Sequence, residues 1–443
     1  MRSTTPSERL HGLYSSQHKE LFSSLSDIIN KPSFKEKIAR RLSEAVRIPT
    51  EVGDGMGHVG EDSRWEIFYQ FSKWLRDTYP SLFTELKHTV INEHAHLFTW
   101  EGSDRNLKPL LLMAHSDVVP VTTWTTENWT HKPFSGHYDG KYIWGRGSED
   151  DKANVVAILS TLDLLLAFKF KPARTIIMAL GFDEEGGAEK SYGARCLAEE
   201  ILRQYGKDGI ELIFDEGMAS VEERHGREFA LPATSEKGYL DVTMRVDTPG
   251  GLSQEPPDHT SIGFLAQAVQ IIEDNPFTPT VSKNNPGLVS HQQISQYCSE
   301  ASEHSADPSI YKASDECFKH IFQAKDLRPL IQTSTAVTVI HGGDKVNSLP
   351  ESSYAMVNHR IAPHDSVRIV KDHYICLLYP WAEKHRLAVH GFGEVVSELE
   401  DPTGTLTLIS EYDLDPSPIS DSSDPRFELL AGTIRGVFGE HTI

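Results

Sequence analysis

The chain has 443 residues, enough for two domains that each bury a hydrophobic core. Its net charge of -21 argues against a nucleic-acid partner, because phosphate binding requires a basic surface. No apolar run approaches the roughly 18 residues of a membrane span, and the four cysteines are too widely spaced for a disulfide framework or a thiolate metal site.

The N-terminal residues Met1 to Gln17 are polar and lack the apolar core of a secretory signal. We therefore expect a cytoplasmic protein. A vacuolar location would require that the N-terminus be incomplete.

Short apolar runs alternate with helical patterns in the first half of the chain. An amphipathic helix is predicted from Arg64 to Leu75. The runs that follow predict a β-α-β-α-β order of buried parallel strands covered by helices: Leu110 to Ala114, Asn154 to Phe168, Thr175 to Leu180, Ala194 to Tyr205 and Ile210 to Phe214.

The pattern changes near Glu236 to a half-exposed strand, and the order becomes β-α-β-β-α-β, which is typical of a ferredoxin-like module. We expect one α/β domain to be formed by residues 1–236 and 402–443 and a second domain by residues 237–401, with a helical or loop insertion near residues 275–327. The predicted elements of the second domain are Tyr239 to Val246, Thr260 to Glu273, Ala336 to Ile340, Tyr354 to Ile361, Val367 to Trp381 and Leu387 to Phe392.

Each predicted strand of the first domain runs into residues that can bind a metal ion. The carboxyl ends of parallel strands meet at one crevice, so the loops after these strands should converge. A fourth acidic loop precedes the helix that starts near Asn154. The four segments are His115-Ser116-Asp117, Glu149-Asp150-Asp151, Asp183-Glu184-Glu185 and Asp215-Glu216.

One histidine and several carboxylates without cysteine favour a catalytic divalent cation, and this many carboxylates can hold two ions. Singly, each motif could equally cap a helix or solvate a loop, but all four together favour a metal site. The doublet Glu184-Glu185 can supply a general base beside a ligand. Asp117 is placed to orient the His115 imidazole.

These motifs resemble those of the M20 metallopeptidases, most closely the carboxypeptidase S, or Gly-Xaa carboxypeptidase, branch. The resemblance spans about residues 40 to 440. Besides the acidic segments above, it is carried by Val118-Val119-Pro120, Trp129 with Pro133-Phe134-Ser135-Gly136, Gly145-Arg146-Gly147, Thr248-Pro249-Gly250-Gly251, Gly342-Gly343 with Lys345 and Asn347, and Asn358-His359-Arg360.

The resemblance implies an α/β fold: a zinc-peptidase catalytic domain with a mainly parallel sheet and an inserted ferredoxin-like α+β lid, which also serves dimerisation. It makes His115 and Asp215 ligands of one zinc ion and Asp150 the bridge between two. Glu185 becomes a ligand of the other ion, and Glu184 becomes the general base.

Three further residues receive roles from the same resemblance. Asp117 supports His115. In the lid, Asn347 and Arg360 hold the substrate, with Arg360 pairing with its free carboxylate as a planar guanidinium can.

The sequence departs from the family pattern in two places. Leu252 stands where the branch has a histidine that stabilises the oxyanion, and a leucine cannot donate that hydrogen bond. The family's remaining zinc ligand is a histidine in a Gly-Asn-Thr-Asp-Thr type motif some thirty residues past Ile443, so the chain resembles a C-terminally truncated member. His441 lacks the context of that ligand.

The leading functional hypothesis is a zinc carboxypeptidase that cleaves the amide next to a C-terminal amino acid in small peptides. An N-acyl amino acid hydrolase is the alternative within the same chemistry, because both substrates place an amide beside a carboxylate. From a different class, an impaired or inactive truncated relative would act as a binding or dimeric protein. A homodimer through the lid is implied by the resemblance alone.

Overall fold

The computed structural model describes residues 12–13, 18–53, 55–186, 192–217, 221–224, 227–280, 285–287, 328–439 and 441–442. The chain divides into two compact units, a first unit of Gly12–Gly217 and a second unit that starts at Met218 and runs to Ile443. Most of the predicted insertion near residues 275–327 lies outside the described residues. None of the helices in the described ranges combines the length and apolar character of a membrane-spanning segment.

The first unit has helices around a five-stranded sheet and a separate short hairpin. Its helices are α1 (Lys19–Ile29), α2 (Pro32–Val46), α3 (Ile67–Thr78), α4 (Pro80–Glu85), α5 (Lys152–Ala167) and α6 (Tyr192–Tyr205), with 3-10 turns at Ser63–Glu66, Thr123–Asn128 and Glu184–Gly186. Its strands are β1 (Lys87–Ile91), β2 (Ala95–Trp100), β3 (Leu110–His115), β4 (His137–Tyr138), β5 (Ile143–Trp144), β6 (Ile176–Gly181) and β7 (Leu212–Phe214).

The main sheet of the first unit has the strand order β1-β2-β6-β3-β7. Strands β6, β3 and β7 are parallel, whereas β1 and β2 form an antiparallel hairpin, and β2 is antiparallel to β6. Both faces of β6 are buried: Met178 and Leu180 pack in one core cluster, and Ile177 and Ala179 pack in another. Burial on both faces explains why these strands are continuous apolar runs, and the α/β prediction is confirmed.

The parallel strands place their ends at the same edge of this sheet. His115 at the end of β3 is in register with Gly181 at the end of β6, and Leu112 is in register with Phe214 at the end of β7. The loops after these strands are the acidic segments singled out in the sequence. The fold therefore brings them to one crevice, as expected for an open α/β sheet.

The second unit has a six-stranded sheet and, among its described residues, three helices of 14 to 18 residues. Its helices are α7 (Ser261–Asp274), α8 (Arg328–Ile331), α9 (Val367–Lys384) and α10 (Pro425–Phe438). Its strands are β8 (Val221–Arg224), β9 (Arg227–Ala230), β10 (Gly238–Asp247), β11 (Gly251–Leu252), β12 (Ala336–Gly342), β13 (Ser348–Leu349), β14 (Ser352–Ile361), β15 (Leu387–Gly391), β16 (Glu394–Ser397) and β17 (Gly404–Leu414).

The predicted β-α-β-β-α-β order is present as β10, α7, β12, β14, α9 and β15, but the sheet differs from a plain ferredoxin-like module. Its strand order is β12-β14-β10-β17-β15-β16, so β17 lies between β10 and β15. The prediction assigned residues 402–443 to the catalytic domain, whereas β17 pairs with β10 and β15 in the second unit. Leu406 and Leu408 are buried in this core, which is the period-2 pattern of a strand, although Pro402 and Gly404 just before it are typical of a chain break.

Candidate metal centre

His115 is the focus of the acidic loops. The ring is buried at the end of β3, and its Nε2 lies 3.0 Å from Asp150 Oδ1 and 3.1 Å from Glu216 Oε1. Its Nδ1 lies 3.2 Å from both the main-chain oxygen and Oδ1 of Asp117. Burial lowers the pKa of His115, but hydrogen bonds to Asp117 and Glu216 outweigh it and raise that pKa to about 12. An imidazolium proton thus supplies the positive charge that the surrounding carboxylates require.

Asp150 lies in the loop before α5, and its side chain is largely exposed. Partial desolvation of the carboxyl group by neighbouring atoms, together with the charge of Glu216, raises the pKa of Asp150. The hydrogen bond with His115 lowers the pKa of Glu216. Two carboxylates therefore share one ring nitrogen, which is the kind of cluster that a cation stabilises.

Asp117 connects the loop of His115 to the loop after β6. Its side chain is fully buried, and its Oδ2 accepts a hydrogen bond from the main-chain N–H of Glu185 at 2.8 Å. The side chain of Asp117 therefore contacts both the imidazole and the Glu184-Glu185 turn. This position is compatible with the supporting role that the sequence predicts for it.

Glu184 and Glu185 follow β6 in the 3-10 turn, and one oxygen of each lies within 4.8 Å of a His115 ring nitrogen and of the other. The pKa of Glu184 is raised to about 7, first by burial of its carboxyl and then by the negative charges of Glu216, Glu185 and Asp117. The charge of His115 opposes this shift. Glu185 Oε1 is buried and has no hydrogen-bond partner among the described residues. It is an acceptor without a donor.

Asp183, in contrast, has a structural contact. Both of its carboxylate oxygens accept the main-chain N–H of Gly193, at 3.0 and 3.2 Å, in the first turn of α6. Burial raises the pKa of Asp183 to about 7. It therefore fixes the start of a helix, which is the helix-capping reading that the sequence left open for these motifs.

The doublet after β7 is arranged differently from the sequence prediction. Asp215, predicted as the ligand, is exposed, and its Oδ1 accepts the main-chain N–H of Glu216 at 2.9 Å. The carboxylate within reach of His115 and Asp150 belongs to Glu216. Sequence reasoning missed Glu216, because adjacent residues in a turn give no signal of which side chain points to the crevice.

The donors of this cluster fit a divalent cation. One imidazole nitrogen and carboxylate oxygens are ligands of zinc and similar ions, and the two groups His115–Asp150–Glu216 and His115–Glu184–Glu185 each bring three ligand atoms within 4.8 Å. The unpartnered Glu185 Oε1 supports this fit, since a buried carboxylate oxygen without a donor is unfavourable unless a cation pairs with it.

The predicted substrate residues lie in the second unit. Asn347 is exposed in the turn before β13, and Arg360 is exposed on β14, with its guanidinium 4.9 Å from the ring centroid of Tyr239. Leu252 on β11 is 58% exposed and pairs in register with Ser348. These positions do not test the roles assigned to the three residues.

An α/β sheet with a histidine-carboxylate cluster at its strand ends is the arrangement of a metal-dependent hydrolase. The model of the peptidase family M20/M25/M40 matches residues 111–438. The chain therefore belongs to this family, as its motifs predicted, and it is a hydrolase by class.

Two relatives extend across nearly the whole chain. Carboxypeptidase S of Saccharomyces cerevisiae is 40% identical over 434 residues, covering 94% of this chain and 73% of that protein. The N-fatty-acyl-amino acid synthase/hydrolase of Homo sapiens is 32% identical over 434 residues, covering 94% of this chain and 78% of that protein.

Two solved structures have the same fold. Human carnosine dipeptidase 1 superposes with a TM-score of 0.59 at 14% identity, covering 97% of this chain and 88% of that one. An M20 family metallo-carboxypeptidase from Sulfolobus solfataricus superposes with a TM-score of 0.59 at 15% identity, covering 90% of this chain and 82% of that one. At these identities the likeness concerns the fold.

Proposed function

We propose that the protein is a zinc-dependent hydrolase that cleaves the amide bond next to a C-terminal amino acid in small peptides. The observation that carries this proposal is the convergence of His115, Asp150, Glu184, Glu185 and Glu216 at the ends of the parallel strands. The relation to carboxypeptidase S supports the choice of peptide substrate.

The proposed ligands hold two ions. Asp150 would be shared by both ions; His115 and one carboxylate of the Asp215-Glu216 doublet would hold the first, and Glu185 would hold the second. The resemblance favours Asp215 in this set, whereas the described contacts favour Glu216. When bound, zinc supplies Lewis acidity that polarises the scissile carbonyl and acidifies a water molecule.

Glu184 acts as the general base in this proposal. Its pKa of about 7 allows it to accept a proton from water near neutral pH and to return it to the leaving nitrogen. Its carboxyl lies among the candidate ligand atoms, and the proposal keeps it off the metal so that it can take up the proton. Asp117 keeps the His115 ring in place through Nδ1.

Substrate recognition is proposed to use Asn347 and Arg360, with the Arg360 guanidinium pairing with the free carboxylate of the substrate. Its guanidinium lies over the Tyr239 ring, a contact that leaves the planar fork available for a bidentate partner.

A homodimer through the second unit completes the proposal, and light scattering on the purified protein measures it directly.

An N-acyl amino acid hydrolase is the second candidate. The relation to the human N-fatty-acyl-amino acid synthase/hydrolase favours it, at lower identity than the relation to carboxypeptidase S. Both substrates present an amide beside a carboxylate. The two candidates therefore differ only in the group on the acyl side of the bond.

The test measures bound zinc and hydrolysis on the same purified sample. Gly-Leu and N-lauroyl-leucine share leucine as the leaving group and so separate the candidates. Gly-Leu amide, whose carboxylate is blocked, is the control. We expect zinc binding and turnover of Gly-Leu, little turnover of the amide, and a loss of about 100- to 10,000-fold in kcat for Glu184→Gln with zinc retained.

The matched variant is Glu185→Gln, which should lose zinc as well as activity because its oxygen is a proposed ligand. Faster cleavage of N-lauroyl-leucine than of Gly-Leu would select the second candidate. Wild-type protein that binds no zinc and turns over neither substrate would contradict both, and would favour the inactive relative.

A further inference from the structure

Asp151 is a buried carboxylate that the proposed chemistry does not use. Its side chain is fully buried, although Asp150 before it is exposed. Asp151 Oδ2 accepts the main-chain N–H of His115 at 3.0 Å, and its Oδ1 accepts the side-chain amide of Asn154 at 2.5 Å. It belongs to neither group of candidate ligands.

The contact with His115 replaces a missing strand neighbour. Strand β7 pairs with β3 only as far as Leu112, which is in register with Phe214. The N–H of Ser116 points to the β6 side, where it donates to Gly181. Because successive N–H groups of a strand point to opposite sides, the N–H of His115 faces the side where β7 has ended. Asp151 supplies the acceptor there.

Two consecutive residues thus hold His115 at two points. Asp150 contacts the ring at Nε2, and Asp151 binds the main-chain nitrogen. The main-chain oxygen of Asp151 also accepts the N–H groups of Asn154 and Val155 in the first turn of α5. The end of β3 and the start of α5 are therefore linked through one residue.

We propose that Asp151 is a positioning residue that fixes His115 relative to Asp150 and so sets the spacing of the metal ligands. This inference rests on the proposed metal-dependent function. The role follows from hydrogen-bond geometry, and it requires an acceptor toward His115 together with a complementary contact to Asn154.

The pair Asp151 and Asn154 offers a direct exchange experiment. In Asp151→Leu, a side chain of similar size offers no acceptor to the main-chain N–H of His115 or to the Asn154 amide. In the double variant Asp151→Asn/Asn154→Asp, the donor and the acceptor exchange places and both contacts are restored. The negative charge moves to position 154.

Zinc affinity of metal-free protein, measured by competition with a chromophoric chelator, is the main readout. We expect Asp151→Leu to raise the zinc dissociation constant by about 10- to 100-fold, the usual effect of losing a contact that orients a ligand. For Gly-Leu, kcat should fall while KM is unchanged, because no proposed substrate contact is altered. The double variant should recover most of both losses.

Melting of the metal-free variants separates positioning from a general loss of fold. Wild-type zinc affinity in Asp151→Leu would overturn the inference. So would a double variant that melts like the wild type but fails to recover affinity, because the charge at position 151 would then matter more than the contacts. Should Asp151→Leu not fold, the double variant alone carries this comparison. Wild-type protein without zinc binding or turnover would instead overturn the proposed function.

Discussion

At the residue scale, His115 and the carboxylates around it determine what the first unit can bind. His115 Nε2 lies 3.0 Å from Asp150 Oδ1 and 3.1 Å from Glu216 Oε1, and the raised pKa of His115 favours a protonated ring among these carboxylates. A cation placed among the same atoms would displace that proton, because a ring nitrogen cannot hold both. Metal binding should therefore release a proton from His115.

Comparing Asp215→Asn with Glu216→Gln decides which of the two carboxylates after β7 binds the metal ion. We expect Glu216→Gln to lose a zinc ion, since Glu216 Oε1 lies 3.1 Å from His115 Nε2 and the Asp215 side chain is exposed. Metal per chain after dialysis is the measurement. Loss of zinc in Asp215→Asn alone would restore the assignment implied by the resemblance, and would mean that the doublet turns when the ion binds.

The sequence predicted that these acidic segments converge, but the roles of their residues stay predictions. His115, Asp150, Glu184 and Glu185 lie close together because parallel strands end at one edge of the sheet. The contact of Asp151 with His115 was not predicted, because the loop direction after β5 decides which carboxylate is buried. That direction depends on packing between distant segments, which one sequence does not display.

At the element scale, the β1–β2 hairpin is joined to α3 by a chain of buried polar groups. His96 on β2 is 1% exposed; its Nε2 lies 2.9 Å from Ser72 Oγ on α3, and its Nδ1 lies 3.0 Å from His88 Nε2 on β1. Burial lowers the pKa of His96 to about 3 and that of His88 to about 4. Both rings are neutral in the folded unit near pH 6.

This arrangement predicts a loss of stability in mild acid. The unfolded His96 takes up a proton near its ordinary pKa of 6.5, while the folded ring does not until far lower pH. The unfolded state therefore binds more protons, and the free energy of unfolding should fall by about 1 to 2 kcal/mol between pH 7 and pH 5 through His96. Urea unfolding of the first unit at both pH values measures the change.

His96→Gln should reduce this difference between the two pH values, whatever its effect on absolute stability. The matched control is His137→Gln, which removes an exposed histidine of the same unit. An unchanged pH dependence in His96→Gln would show that other groups cause the acid destabilisation.

Elements with a clear hydrophobic period were predictable from the sequence. Strand β17 was not predicted, for a physical reason. Residues 405–408 alternate polar and apolar side chains, but Pro402 and Gly404 just before them are typical of a chain break, and the strand was not predicted. Its place between β10 and β15 is a long-range choice. The place of β17 depends on which strands of the sheet have an unpaired edge, and the local sequence pattern carries no information about that.

At the scale of the whole molecule, both candidate metal groups lie in the first unit. An ion that binds only the folded first unit should stabilise that unit and leave the second unchanged. Trp381 on α9 is the only tryptophan after Gly217 in the sequence, so its fluorescence reports on the second unit.

Removal of zinc with a chelator should lower the melting temperature of the first unit by about 5 to 10 °C, since ligand at 100 times its dissociation constant adds about 2.7 kcal/mol. The tryptophan fluorescence of Trp381→Phe comes from the first unit alone. Subtracting it from the wild-type fluorescence gives the signal of the second unit. Equal shifts in both signals would contradict the assignment of the ligands to one unit.

The order of the ligand residues along the chain has a consequence for synthesis. Every member of the two candidate groups lies between His115 and Glu216, ahead of the first strand of the second unit. A ribosome therefore exposes the complete described ligand cluster before it has made the six-stranded sheet. Because domains fold as units from the N-terminal side, the nascent first unit can capture its ion while translation of the rest continues.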